Sequence, residues 1–125
     1  MEKRLAKIES ASLNIKDRGI LTFWVHVEYE EGCHQGVGGI VLDGWSEEKQ
    51  DRVGTAGGCE LIRQLLLCLD VDDLSRAKGK IIWVIGEGEG LSFRPKGIEA
   101  LRVNKSPVQR VVWKEVFEMF EEGGA

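Results

Sequence analysis

The sequence predicts one α+β domain over residues 1–125, a mainly antiparallel sheet of about five strands with one central and one C-terminal helix. Three observations carry that prediction. Residues 20–29 alternate, with Leu21, Phe23, Val25, Val27 and Tyr29 on one face and Thr22, Trp24, His26 and Glu28 on the other. Cys59, Ile62, Leu65, Leu66 and Leu69 follow helical spacing. Residues 80–85 carry a continuous Ile-Ile-Trp-Val-Ile run, the composition of a buried strand.

Taken in chain order, residues 5–13 alternate loosely and predict a first strand, which Asp17-Arg18-Gly19 ends with turn chemistry. The alternating strand at 20–29 follows. A short acidic connection, Glu30-Glu31-Gly32-Cys33, then returns the chain antiparallel as a third strand over 35–42, completing a meander. That third strand is nearly bare of side chains at Gly36, Gly38 and Gly39, so Trp24 or His26 is expected to lie over the glycines. Residues 43–53 read as a polar surface loop whose exception, Trp45, is taken as a lid over the core rather than an exposed contact.

Thr55 is the expected N-cap of the central helix. Asp70, Asp72 and Asp73 oppose its macrodipole at the far end, so the chain should turn there into a single-turn segment through Ala77. After the strand at 80–85, Gly86-Glu87-Gly88-Glu89-Gly90 forms a turn, and a further strand between 92 and 102 is interrupted at Pro95, which places it on an edge or a bulge. Ser106-Pro107-Val108-Gln109 resembles a capping box and favours a long last helix. The alternative is a short strand over 110–113 with the helix confined to 114–120. Residues 121–125 should fray.

Composition narrows the function classes. With 21 acidic against 17 basic residues and a net charge of -4, generic duplex DNA and anionic membranes are not expected partners. The apolar runs are too short to span a bilayer, and the charged N-terminus has no apolar segment behind it, so a cytoplasmic protein is expected. Three cysteines without a C-x-x-C spacing read as free thiols, Cys68 as a core residue. Cys33 and His34 are neighbours on a strand and point apart, so no metal site is expected, and no cofactor is implied. There is no P-loop, no H-E-x-x-H, no nucleophile elbow and no catalytic residue to name, which argues against an enzyme.

Two surfaces remain. Gly57 and Gly58 open a helix whose unpaired N–H groups would attract a small nucleotide-like anion, with Arg52, Thr55 and the sheet side chains Trp24 and His26 beside them. The favoured reading of the same glycines is close packing of the helix on the strand of Gly36, Gly38 and Gly39, and both readings bring these glycines together or along one groove. Trp24, Glu28 and Trp45 are the candidate contacts for a protein partner. A glycine-rich or proline-interrupted edge strand could also pair with its twin as a homodimer.

The order Arg18-Gly19-Ile20-Leu21-Thr22, then Gln35-Gly36-Val37-Gly38-Gly39-Ile40-Val41-Leu42-Asp43, then Arg52-Val53-Gly54-Thr55-Ala56-Gly57-Gly58 resembles a family of small bacteriophage and prophage proteins of uncharacterised function. The likeness covers roughly residues 7–101. The chain departs from the family pattern at Arg18, Val37 and Ile40, where histidine, phenylalanine and tyrosine are usual. The resemblance carries no catalytic residue across. It implies a phage-encoded accessory protein that binds a host protein, or a small signalling molecule used in defence.

Overall fold

The computed structural model describes residues 1–121. β1 (Glu2–Asp17), β2 (Ile20–Tyr29) and β3 (His34–Val41) form the antiparallel meander. β1 is longer at both ends than its hydrophobic pattern alone marks. β4 (Asp43–Ser46) and β5 (Asp51–Gly54) pair as a separate two-stranded hairpin. α1 (Ala56–Leu69), a 3₁₀ turn (Leu74–Ala77), β6 (Ile81–Glu87), a second 3₁₀ turn (Gly90–Ser92), β7 (Arg94–Ala100), β8 (Arg110–Val112) and α2 (Trp113–Glu121) complete the chain. The main sheet has six antiparallel strands in the order β3-β2-β1-β6-β7-β8.

The strand faces sort as side-chain alternation requires. Ile8, Phe23, Val25, Val27, Val84, Ile98 and Val111 are buried in one cluster with Leu61, Leu65 and Leu69 of α1 and Trp113 and Val116 of α2. Each such aliphatic or aromatic side chain contributes about 1.5–3 kcal/mol on burial. Phe23 and Trp113 meet edge to face at 5.3 Å, tying the second strand to the last helix. The sheet curls enough for Gln35 of β3 to donate from Nε2 to the carbonyl of Phe93, just before β7, at 3.2 Å. Among the described residues no helix is long and apolar enough to cross a membrane.

Several expectations need correction. Residues 43–53 are a hairpin and not an irregular loop, because Arg52 and Asp43, nine residues apart, clamp its two strands. Trp45 is 55% exposed, a surface side chain rather than a closed lid. Gly86 belongs to β6 rather than to the turn, while the remaining glycines of that stretch do turn the chain. Pro95, by contrast, meets its expectation: it lies opposite Gly86 at a register shift and outside the stretch Gly97–Glu99 that β8 pairs, so a bulge on a locally open strand edge accommodates it. The long last helix gives way to the alternative, a short strand followed by a shorter helix. Val111 and Val112 pair with Ile98 and Gly97, and Gln109 is spent on the preceding loop, donating to the Asn104 carbonyl, to Asn104 Oδ1 and to the Ser106 carbonyl. Residues 122–125 of the expected frayed tail lie outside the described residues, and Glu121 ends α2.

Candidate functional site

The face of β2 turned away from the helices carries the first candidate. Trp24 and His26, two residues apart on one strand, stack at 5.9 Å with an interplanar angle of 18°. The indole lies across β3 where side chains are missing: a Cβ on Gly36 would come 2.9 Å from its Cζ3, and one on Gly39 would overlap its outer ring. Gly39 has φ +68° and Gly38 φ +117°, conformations that favour glycine. The local register shift between Phe23 and Trp24 is the bulge that these glycines permit. Trp24 is nonetheless 39% exposed, so its outer side faces solvent.

The same face gathers an ionisable trio that the sequence pattern did not bring together. A bulge between Ile8 and Ser10 displaces Glu9, whose Oε1 lies 2.7 Å from His34 Nδ1, while Glu28 Oε2 is 3.7 Å from His34 Nε2. The hydrogen bond with Glu9 and then its charge, with a smaller contribution from Glu28, raise the His34 pKa above its ordinary 6.5. Glu9, Glu28 and His34 thus span three adjacent strands beside the Trp24–His26 stack. No local signal marks the trio, because it depends on a bulge and on the β2–β3 register.

The start of α1 is built differently from an open anion site. Arg52 donates from Nη2 at 2.6 Å and from Nε at 3.1 Å to Asp43 Oδ1, and Asp43 Oδ2 accepts from the Leu21 N–H at 3.1 Å. The guanidinium holds the Asp43 carboxyl below its usual range, and the carboxylate raises Arg52 in return. Thr55 is the N-cap: its Oγ1 accepts from the Gly58 N–H at 3.0 Å and donates to the Leu42 carbonyl at 2.7 Å. A Cβ on Gly58 would run into the Leu42 backbone, and one on Gly57 would meet the Phe117 ring. Close approach therefore explains both glycines, although their neighbours are Leu42 and Phe117 rather than Gly36, Gly38 and Gly39. Among the described residues no hydrogen bond or ring contact joins Arg52, Thr55, Gly57 or Gly58 to Trp24 or His26.

The thiols follow their surroundings. Cys68 is buried, and desolvation pushes it up to about 12, while Cys33 and Cys59 are exposed. Among the described residues no three histidine, cysteine, aspartate or glutamate side chains gather as a metal-ligand set. Compared with models of protein families, with curated proteins and with solved structures, the chain matches none.

Proposed function

We propose that this is a non-enzymatic binding protein that docks on another protein through the open face of β1–β3, with Trp24 as its anchor. In the phage setting that the resemblance implies, the partner is a host protein whose activity is modulated, and an anti-defence role fits that setting. The observation that carries the reading is the mounting of Trp24, an exposed indole held by a bed of glycines and a stacked imidazole. Tryptophan dominates interface hot spots, and an aromatic side chain already fixed before binding loses little further freedom. Glu9 and Glu28 beside it favour a partner patch that carries basic residues. Sequestration of a nucleotide-like anion at the start of α1 has less support, since Arg52 is already committed to a carboxylate.

The test is native mass spectrometry of the protein purified from host cells, in parallel with Trp24→Gln and Glu28→Lys variants. A stoichiometric host protein on the wild type, lost in both variants while their thermal transitions remain cooperative, supports the reading. A partner retained by both variants moves the interface elsewhere. A bound mass below about a thousand daltons, with no protein, would replace this reading with ligand sequestration.

A further inference from the structure

A cavity of about 320 Å³ opens between the β2–β3 connection and the 3₁₀ turn before β7, at the small end of the roughly 300–1,000 Å³ range of ligand sites. Its floor is aromatic. The Arg4 guanidinium lies 4.1 Å from the Phe93 ring centroid and 6.0 Å from that of Tyr29, and Phe93 and Tyr29 meet edge to face at 6.3 Å. The Tyr29 hydroxyl bonds Gln35, which in turn donates to the Phe93 carbonyl, so the floor is braced across the curl of the sheet.

Arg4 and Glu31 line this cavity without meeting, and His34, already engaged by Glu9 and Glu28, lines it as well. Arg4 is half-buried and, among the described residues, donates only to the Gly90 carbonyl, at 3.3 Å. Among the described residues neither Arg4 nor Glu31 forms an ion pair, although both line the cavity. Both also act on the Tyr29 phenol, which burial pushes up to about 12, Arg4 pulling it down and Glu31 raising it further. Tyr29 therefore stays neutral between a cation and an anion. At the rim Leu91 is fully exposed, and it is the apolar side chain a ligand can reach, since Phe93 and Tyr29 beneath Arg4 are 3% and 5% exposed.

A guanidinium without a carboxylate, a carboxylate without a cation and an apolar side chain at the same rim describe the complement of a small zwitterion. We propose that this cavity binds an apolar α-amino acid or a ligand of the same chemistry, its carboxylate on Arg4, its ammonium toward Glu31 and its side chain against Leu91 at the rim. Arg4 suits the carboxylate because its planar fork can donate two parallel bonds while its face stays on the ring. The cavity borders the docking face at His34, which lines it too, but Trp24, Glu9 and Glu28 do not line it, and different variants test the two proposals.

The probe is L-phenylalanine, titrated by calorimetry and by amide and methyl NMR, against 3-phenylpropionate and 2-phenylethylamine, which each keep one charge. Saturable binding is expected for L-phenylalanine, with shifts at Leu91 and Gln35. Each one-charge analogue should bind at least about tenfold more weakly, as should L-phenylalanine to Arg4→Met or Glu31→Gln, from the loss of a charge-assisted hydrogen bond. Glu31 lies in an exposed connection, so Glu31→Gln remains informative if Arg4→Met fails to fold. Trp24→Gln should leave this affinity unchanged. The proposal is overturned by an absence of saturable binding at millimolar concentrations, by binding that both cavity variants leave intact, or by 3-phenylpropionate binding as tightly as the zwitterion.

Discussion

At Gly39 a methyl group would have to occupy space already filled by the Trp24 indole, on a backbone with φ +68°. Gly36 faces the same ring but has no positive φ, and the ring beside it is open to solvent on its other side. Gly39→Ala should therefore destabilise by about 1–3 kcal/mol through backbone strain and displacement of the ring. Gly36→Ala should change stability by less than about 1 kcal/mol, and in a Trp24→Ser background it should become neutral or stabilising as strand propensity takes over. Urea midpoints for the double-mutant cycle check this, and equal costs at both positions would mean that the indole is not what the glycines serve. The pairing of Trp24 with these glycines was legible in the sequence, because alternation fixes the face and a short hairpin fixes the neighbour. His34 was not. Its raised pKa means that the imidazolium's stabilising contact with Glu9 is fully present below the ordinary value of 6.5 and is lost as pH rises through the higher folded value. An NMR titration of the His34 Cε1 proton should give a midpoint above 6.5 that falls back in Glu9→Gln, and an unshifted wild-type midpoint would dissolve the trio.

Among the elements, α1 shows how a helix can be overruled at its first turn. Alanine is the better helix former by about 1 kcal/mol, so propensity alone says that Gly58→Ala should stabilise. The Leu42 backbone lies where that methyl group would go, and backbone cannot swing aside as a side-chain end can. Gly58→Ala is expected to destabilise by about 3 kcal/mol or more, whereas Gly54→Ala, with nothing within 4 Å and no positive φ, should stay within about 1 kcal/mol of wild type. Thermal unfolding of the two variants separates them, and a stabilised Gly58→Ala would show that α1 can lift off Leu42 at little expense. This element was readable because its signals are local: a threonine cap, two small residues and an apolar stripe. Toward the end of the chain the capping-box reading fails for the opposite reason, and the alternative of a short strand before the helix holds. Ser106 and Gln109 have capping-box spacing, yet Ser106 Oγ accepts from the Val108 N–H and Gln109 bonds the Asn104–Ser106 loop, so the box organises a turn. The open edge of β7 then takes the β-branched pair Val111 and Val112 as a strand. Likewise the β4–β5 hairpin hides in a polar stretch, because what makes it a hairpin is the pairing of Asp43 with Arg52.

At the scale of the whole molecule, the partner of β1 is the feature least available to sequence reasoning, since β6 lies beyond two hairpins and a helix. That pairing is also incomplete. β6 runs along β1 only from Glu2 to Lys7, and Ile8 makes the last bonds on that side, to Gly79 and Lys80, whereas the ladder with β2 continues to Asp17. The far part of the β1–β2 hairpin thus has one strand neighbour and exposes Leu13 and Ile15, while β6 is paired on both sides and carries Ile82, Val84 and Ile85 buried. Local opening should follow this division. Native-state hydrogen exchange is expected to be slowest at Ile82, Val84, Ile85, Val25 and Val27 and fastest, among strand amides, between Ser12 and Asp17. A further consequence separates the monomer from an assembly. An isolated hairpin end exchanges at a rate independent of protein concentration, so protection there that grows with concentration would mean that the free β1 edge pairs with a second copy. In that case the twofold contact lies on β1, and not on the glycine-rich strand or at Pro95, and its apolar row of Leu13 and Ile15 is what the pairing covers.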